Sequence, residues 1–132
     1  MIFVDSSAVV AMIAGEPDAS ALAAKLAEQR DNITAPHVIL ESCMRLSSIF
    51  EFLPTVAESL VAGLLRETST AVLPITEEIG HLAVEAFERY GKGRGKAALN
   101  FGDCLSYACA KAHGARLLFK GGDFAATDIP RA

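Results

Sequence analysis

Short apolar runs alternate with helical segments along the whole chain, and this alternation is the feature that most restricts its fold. Residues 1–4 form an apolar run that Asp5 ends, and residues 117–119 form another near the opposite end. Weaker strand patterns occupy residues 33–35 and 71–73. Strands separated by helices favour a parallel sheet with helices on both faces. We therefore expect an α/β fold, a three-layer α/β/α sandwich whose parallel sheet has four to five strands.

Residues that start and stop helices give the expected boundaries. Asp5 or Ser6 can cap a first helix that Gly15 ends. Thr55 and Glu58 have the spacing of a capping box. The remaining signals are a helix from Pro17 to about Arg30, a helix from Pro36 to about Phe52, caps at Thr76 and Asn100, a left-handed stop at Gly114 and a final edge strand at Ile129.

Length and composition indicate one ordinary globular domain, residues 1–132. The hydrophobic fraction is 52% and the formal net charge is −4, which argues against a general nucleic-acid coat protein but not against a nuclease. Three cysteines without C-x-x-C spacing are typical of buried thiols in a reduced protein. The start of the chain lacks the pattern of a signal peptide, so we expect a cytoplasmic protein with no membrane segment.

Four acidic residues fall where such a sheet would gather them. Asp5 and Asp123 follow the two clear strands, while Glu41 and Asp103 lie in the early turns of two helices. Ligands bind at the carboxyl edge of parallel sheets. Carboxylates gathered there repel one another unless a cation joins them, so the pattern predicts Mg²⁺, with Mn²⁺ as the alternative.

Each acid also has an ordinary interpretation when it is taken alone. Asp5 can cap a helix, Asp103 can favour a helix dipole, Glu41 can pair with Arg45, and Asp123 can form an Asx turn. Their shared position makes the metal site the stronger prediction. A metal ion there can lower the pKa of a bound water and orient it for attack on a phosphodiester.

A glycine-rich segment carries the only cluster of basic residues. Arg89, Lys92, Arg94 and Lys96 surround Tyr90, a combination that can hold a nucleic-acid backbone and stack a base. The alternative is a solvated surface loop. The segment does not match a phosphate-binding P-loop, because alanine replaces the required Ser or Thr.

The sequence resembles the PIN-domain family, and more closely the VapC-type toxins of bacterial toxin–antitoxin systems. The resemblance spans the chain and is carried by residues 3–8, the helix with Glu41, residues 100–108, residues 119–124 and residues 127–129. It implies a small α/β/α sandwich and a ribonuclease that depends on Mg²⁺ or Mn²⁺. One variation is Gly122, where many relatives carry Asp or Asn.

The resemblance also implies roles for individual residues. Asp5 and Asp103 match direct metal ligands, and Glu41 and Asp123 match residues that complete the acidic site or position the attacking water. Ser7 and Asp128 match positions that support the site. Further implications are a homodimer and a cognate antitoxin whose C-terminal segment blocks the active site, with DNA bound only through that antitoxin.

The sequence thus predicts a metal-dependent endoribonuclease that acts as the toxin of a toxin–antitoxin pair, with Asp5, Glu41, Asp103 and Asp123 as its site. One alternative is a catalytically weak scaffold that binds an antitoxin and, as a complex, promoter DNA. Another is an aspartyl phosphatase with Asp5 as nucleophile. Phosphatases of that type need a second acid two residues later, where this chain has Ser7.

Overall fold

The computed structural model describes every residue from Met1 to Ala132 and contains a single parallel sheet. Its strands are β1 (Ile2–Val4), β2 (Asn32–Thr34), β3 (Ala71–Val72) and β4 (Arg116–Leu118). They lie in the order β3-β2-β1-β4, and every neighbouring pair is parallel. The segment that follows β1, which begins with Asp5, therefore leaves the middle of the sheet at its carboxyl edge, as the sequence predicts.

Six helices cover the sheet in two groups, which confirms the three-layer α/β/α architecture. The helices α1 to α4 pack mainly among themselves, whereas α5 packs on α6 and α6 contacts β1 and β4. Their bounds are α1 (Ser6–Ala14), α2 (Ala19–Ala27), α3 (Pro36–Phe50), α4 (Pro54–Glu67), α5 (Glu77–Tyr90) and α6 (Phe101–Ala112).

Three helix starts follow the capping signals in the sequence. The side chains of Asp5, Thr76 and Asn100 each accept a hydrogen bond from a backbone N–H in the first turn of the following helix. These bonds satisfy donors that have no partner inside the helix. Gly15 ends α1 with φ of 67°, a conformation that costs other residues a steric penalty.

Four expected details differ from the structure. The helix α2 is shorter than the expected Pro17 to about Arg30 and spans Ala19–Ala27. The helix α3 ends at Phe50, before the expected Phe52, because Glu51 adopts a left-handed conformation with φ of 56°. Leu53 caps α4 without a side-chain bond, so Thr55 lies inside the helix and forms no capping box. Pro54 explains this shift, since proline is favoured in the first helical turn. The edge strand at Ile129 is absent, and only an isolated bridge between Leu117 and Arg131 forms there.

The core lies around β1 and α1. Ile2, Phe3 and Val4 are each 1% exposed, so the central strand is covered on both faces. Cys43, Cys104 and Cys109 are buried and unpaired, which confirms their expected place in the interior. Burial raises the pKa of the Cys109 thiol to about 11, so that it stays protonated at neutral pH. None of the helices is both long and apolar enough to span a membrane.

Candidate metal centre

Three of the predicted acids lie on or next to three different secondary-structure elements. Asp5 follows the central strand β1 and caps α1, accepting a bond of 3.0 Å from the Ser7 backbone N–H. Glu41 projects from α3, and Asp103 is the third residue of α6. Asp5 and Asp103 are only 3% and 8% exposed. Asp123 lies beyond β4 and is exposed.

The charges of these side chains act on one another. Burial raises the pKa of Glu41 to about 7, and the negative charges of Asp5 and Asp103 add to this effect. Burial also raises the pKa of Asp103 to about 6, with further contributions from Asp5 and Asp123, against a hydrogen bond from the Asn100 backbone. The structure therefore brings all four predicted acids into one electrostatic cluster, with Asp123 at its exposed side.

No lysine or arginine forms an ion pair with this cluster, and the charge of Arg45 acts only as the weakest influence on the pKa of Glu41, which it lowers. None of the six ion pairs in the structure includes Asp5, Glu41, Asp103 or Asp123. Uncompensated carboxylates that are partly buried are costly, because burial and mutual repulsion both disfavour their charged forms. The arrangement is therefore suited to binding a cation.

Asp103 combines two of the roles considered from the sequence. Its Oδ2 accepts a bond of 3.1 Å from the Asn100 backbone N–H, while Asn100 Oδ1 accepts one of 2.9 Å from the Asp103 backbone. This capping box fixes the side chain and leaves Asp103 Oδ1 without a protein hydrogen bond. Likewise Asp5 accepts bonds only through Oδ2. Each buried carboxylate thus has one oxygen held by the protein and one free to bind a ligand.

Ser7 connects the two strands that carry Asp5 and Asp123. Its hydroxyl donates to Asp5 Oδ2 at 2.6 Å and accepts from the Lys120 backbone N–H at 3.0 Å. The Lys120 ammonium in turn donates to Glu16 at 2.5 Å and to Asp18 at 3.2 Å. Ser7 therefore contacts the carboxylate of Asp5, as expected for a residue that supports the site. Its second partner, the Lys120 backbone, is 113 residues away and could not be predicted from the sequence.

We expect Ser7→Ala to weaken metal binding at Asp5 by about 10- to 100-fold, the usual cost of losing a group that orients a metal ligand. Calorimetric titration with Mn²⁺ measures this directly. Ser59→Ala is a matched control, because the Ser59 hydroxyl bonds only to the backbone of its own helix. Equal Mn²⁺ affinity in the two variants would contradict the role assigned to Ser7.

His37 lies beside the acidic cluster and joins α3 to α6, a contact that the sequence analysis did not single out. It lies one turn before Glu41 on α3, and its Nε2 is 2.9 Å from Ser106 Oγ on α6. Its Nδ1 is buried without a partner. Burial lowers the pKa of His37, while the charge of Asp5 acts in the opposite direction. The spacing of His37 to Glu41 and of Ser106 to Asp103 was the available signal, since residues three or four apart share a helix face.

Asp128, which the resemblance implies as a supporting residue, is held by three side chains. Tyr107 donates to it at 2.5 Å and Lys111 at 3.1 Å, and Arg89 lies 3.6 Å away. The Tyr107 hydrogen bond, followed by Lys111 and Arg89, lowers the pKa of Asp128 to about 2. Asp128 contacts none of the four clustered acids, and instead it joins α5, α6 and the C-terminal segment.

The predicted basic residues divide into two sets. All four are exposed, but Arg89 pairs with Asp128 and lies over the Tyr90 ring, whereas Lys92, Arg94 and Lys96 form no ion pair. Arg94 lies over the Phe87 ring. A groove of about 540 Å³ between α5 and α6 is lined by Lys92, Leu99, Asn100, Phe101 and Leu105, among others. Phe101 is 85% exposed and begins α6, so an exposed aromatic ring lies in the same helical turn as Asp103.

The acidic cluster fits a hard divalent cation in its donor chemistry. No group of three or more His, Cys, Asp and Glu side chains converges tightly enough to enclose an ion by itself. Mg²⁺ does not require such a cage, because it keeps several waters and commonly binds through one or two carboxylates and substrate phosphates. The free oxygens of Asp5 and Asp103 meet that need, with Glu41 and Asp123 beside them.

Comparison with known sequences gives matches over nearly the whole chain. The PIN domain model matches residues 2–130. Ribonuclease VapC36 of Mycobacterium tuberculosis is 39% identical over 127 residues, which cover 96% of this chain and 89% of the relative. Ribonuclease VapC of Mycolicibacterium smegmatis is 38% identical over 126 residues, covering 96% of this chain and 95% of the relative.

Solved structures share the fold. Mycobacterium tuberculosis VapC20, described as a toxin that cleaves the sarcin–ricin loop, superposes with a TM-score of 0.77 at 23% identity and covers 100% of this chain and 98% of its own. VapBC2 from Rickettsia felis, bound to a DNA fragment from its promoter, has a TM-score of 0.69 at 17% identity, covering 99% and 96%. At these identities the likeness concerns the fold.

Proposed function

The chain belongs to the PIN-domain family, and from that premise we propose that it is a VapC-type endoribonuclease that depends on a divalent metal and acts as the toxin of a toxin–antitoxin pair. Its curated relatives are named VapC ribonucleases at 38–39% identity over almost the whole chain. The single observation that carries the proposal is the cluster of Asp5, Glu41, Asp103 and Asp123, which lies at the carboxyl edge of the sheet and forms no ion pair.

Asp5 and Asp103 would hold the ion through their free oxygens, and Glu41 and Asp123 would complete the site. When bound, Mg²⁺ or Mn²⁺ supplies an acidified water and offsets the negative charge of the reacting phosphate. Glu41 is suited to accept the proton of the attacking water, because its carboxyl group lies in the acidic cluster with only one weak hydrogen bond, from Ser6, to occupy it.

An RNA strand reaches this site most readily over the exposed aromatic and basic residues beside it. Phe101 offers a ring on which a base can stack, next to Asp103. Lys92, Arg94 and Lys96 are exposed cations that can hold backbone phosphates, whereas Arg89 contributes less because it pairs with Asp128. Lys92 lines the same groove as Asn100 and Phe101, so it brings positive charge to the start of α6.

The antitoxin and a second copy of the chain are the protein partners in this proposal. Support for an antitoxin comes from the neighbouring structures, which are described as a toxin–antitoxin complex of Klebsiella pneumoniae and as VapBC2. The chain also exposes large apolar side chains on α3, α4 and the turn between them, a feature of interaction surfaces: Leu40, Met44, Phe50, Leu53, Val56 and Leu60. DNA would be bound only through the antitoxin.

Cleavage of a pool of tRNA and ribosomal RNA by purified, antitoxin-free protein tests the proposal. We expect defined fragments with Mg²⁺ or Mn²⁺ and none with EDTA, because the acids alone cannot offset the charge of the phosphate. The Asp5→Ala variant should give none with either metal.

Cleavage that persists in EDTA would contradict the metal dependence. No cleavage by folded, antitoxin-free protein with either metal would favour the alternative of a scaffold that binds an antitoxin and promoter DNA.

A further inference from the structure

Gly102 lies directly under the carboxyl group of Glu41. A Cβ built on Gly102 would stand within 2.5 Å of Cδ and of both carboxyl oxygens of Glu41. Real Cβ atoms essentially never approach other heavy atoms this closely. Glu41 can therefore occupy its place only because residue 102 has no side chain.

The backbone gives no other reason for a glycine at this position. Gly102 is a residue of α6, and it is absent from the glycines with positive φ, which are Gly15, Gly93, Gly114 and Gly121. Alanine is the better residue for a helical backbone. The glycine therefore goes against helix propensity at a buried position next to Asp103.

The contact also explains how a flexible acid is held in the cluster. The carboxyl group of Glu41 accepts one side-chain hydrogen bond, a long one of 3.5 Å from Ser6 Oγ to Glu41 Oε1. The negative charges of Asp5 and Asp103 oppose its presence there. Close packing against the bare backbone of α6 is what permits its carboxyl group to reach the same site as Asp103, which follows Gly102 in the chain.

We propose that Gly102 is a positioning residue for the nuclease reaction, because its missing side chain creates the space from which Glu41 acts. This inference rests on the proposed function and adds to it a residue that carries no chemistry of its own. A methyl group at position 102 displaces the end of a flexible side chain, so the fold persists while Glu41 leaves its place.

The test is a double-mutant cycle on RNA cleavage with Gly102→Ala, Glu41→Ala and the double variant. We expect Gly102→Ala to lower kcat on the order of 100-fold, the scale of a misplacement of about 1 Å in a catalytic group, with KM little changed. In the Glu41→Ala background the same substitution should have no further effect, since nothing is left to displace. Gly63→Ala is the matched control, because Gly63 lies inside the helix α4 and a Cβ there meets only Arg66 Nη2, at 4.0 Å.

Two results would overturn the inference. One is wild-type kcat in Gly102→Ala, and the other is a loss in the double variant well beyond that of Glu41→Ala. If Gly102→Ala fails to fold, circular dichroism of the double variant decides: recovery of the fold supports a collision with Glu41, and failure shows that the glycine serves another purpose.

A crystal structure of Gly102→Ala separates this inference from the proposed function, because it does not depend on activity. A displaced Glu41 carboxyl group supports the inference even if the wild-type protein cuts no RNA. An unmoved carboxyl group overturns it even if the wild-type protein is an active nuclease.

Discussion

Asp103→Asn is expected to lower the rate of RNA cleavage by at least about 100-fold, since losing even an indirect supporter of a metal ligand commonly costs 10- to 100-fold. The substitution removes the negative charge that would bind the ion. It retains an amide oxygen that can still accept the Asn100 backbone N–H, the bond that is 3.1 Å long in the wild type. The measurement is the single-turnover cleavage rate at saturating Mg²⁺, beside a thermal melt.

Asp31→Asn provides the matched control for this substitution. Asp31 is an exposed aspartate that pairs with the chain's N-terminal ammonium at 3.4 Å. Both groups directly precede a strand, so they lie at the amino edge of the sheet, opposite the cluster. The same charge is removed from the protein, so a general effect of net charge on RNA binding would appear in both variants. If Asp103→Asn cleaves RNA as fast as Asp31→Asn, Asp103 is not a ligand of the catalytic ion.

Sequence reasoning reached those features of the site that depend on local chemistry. The caps at Asp5, Thr76 and Asn100 involve side chains within three residues of their partners, so their residue types were sufficient. The parallel order of the strands then carried the acids to one edge. The position of Asp103 could therefore be predicted. The sequence did not show that Asp103 both forms a capping box with Asn100 and belongs to the acidic cluster.

The features that were missed depend on backbone conformations and long-range contacts that the residue types do not specify. Glu51 ends α3 in a left-handed conformation, which its residue type does not favour. Asp128 pairs with Arg89 and Lys111, two cations that the sequence alone could not assign to it. The close packing of Glu41 on Gly102 likewise appears only when α3 and α6 are placed side by side.

Removing the negative charge of the cluster should stabilise the metal-free protein. The folded-state pKa of Glu41 is about 7 against an ordinary 4.5, and that of Asp103 is about 6 against 3.8. Between these values the folded state binds more protons than the unfolded state, so the free energy of unfolding falls as pH rises. The favourable contribution is complete below about pH 4 and is lost by about pH 7.

For Glu41 alone a fully realised shift would correspond to about 3 kcal/mol, and because the side chain is partly exposed we expect roughly 1–2 kcal/mol. Glu41→Gln should therefore raise the Tm of the metal-free protein by about 3–8 °C at pH 8 and by much less at pH 5. Thermal melts in EDTA across this range measure the difference. Added Mg²⁺ should reverse the order at pH 8, since it stabilises the protein that binds it more tightly.

The comparison between the two proteins matters more than the profile of either one. His37 acts in the opposite direction below about pH 6.5, because its lowered pKa makes the folded state resist protonation. That effect is largely common to the wild type and Glu41→Gln and cancels in their difference. If the Tm difference between wild type and Glu41→Gln in EDTA is the same at every pH, the negative charge of Glu41 does not destabilise the fold. A Tm difference that grows with rising pH and disappears with Mg²⁺ would show that the charged Glu41 destabilises the metal-free fold. It would also show that this carboxylate lies where a cation can bind it.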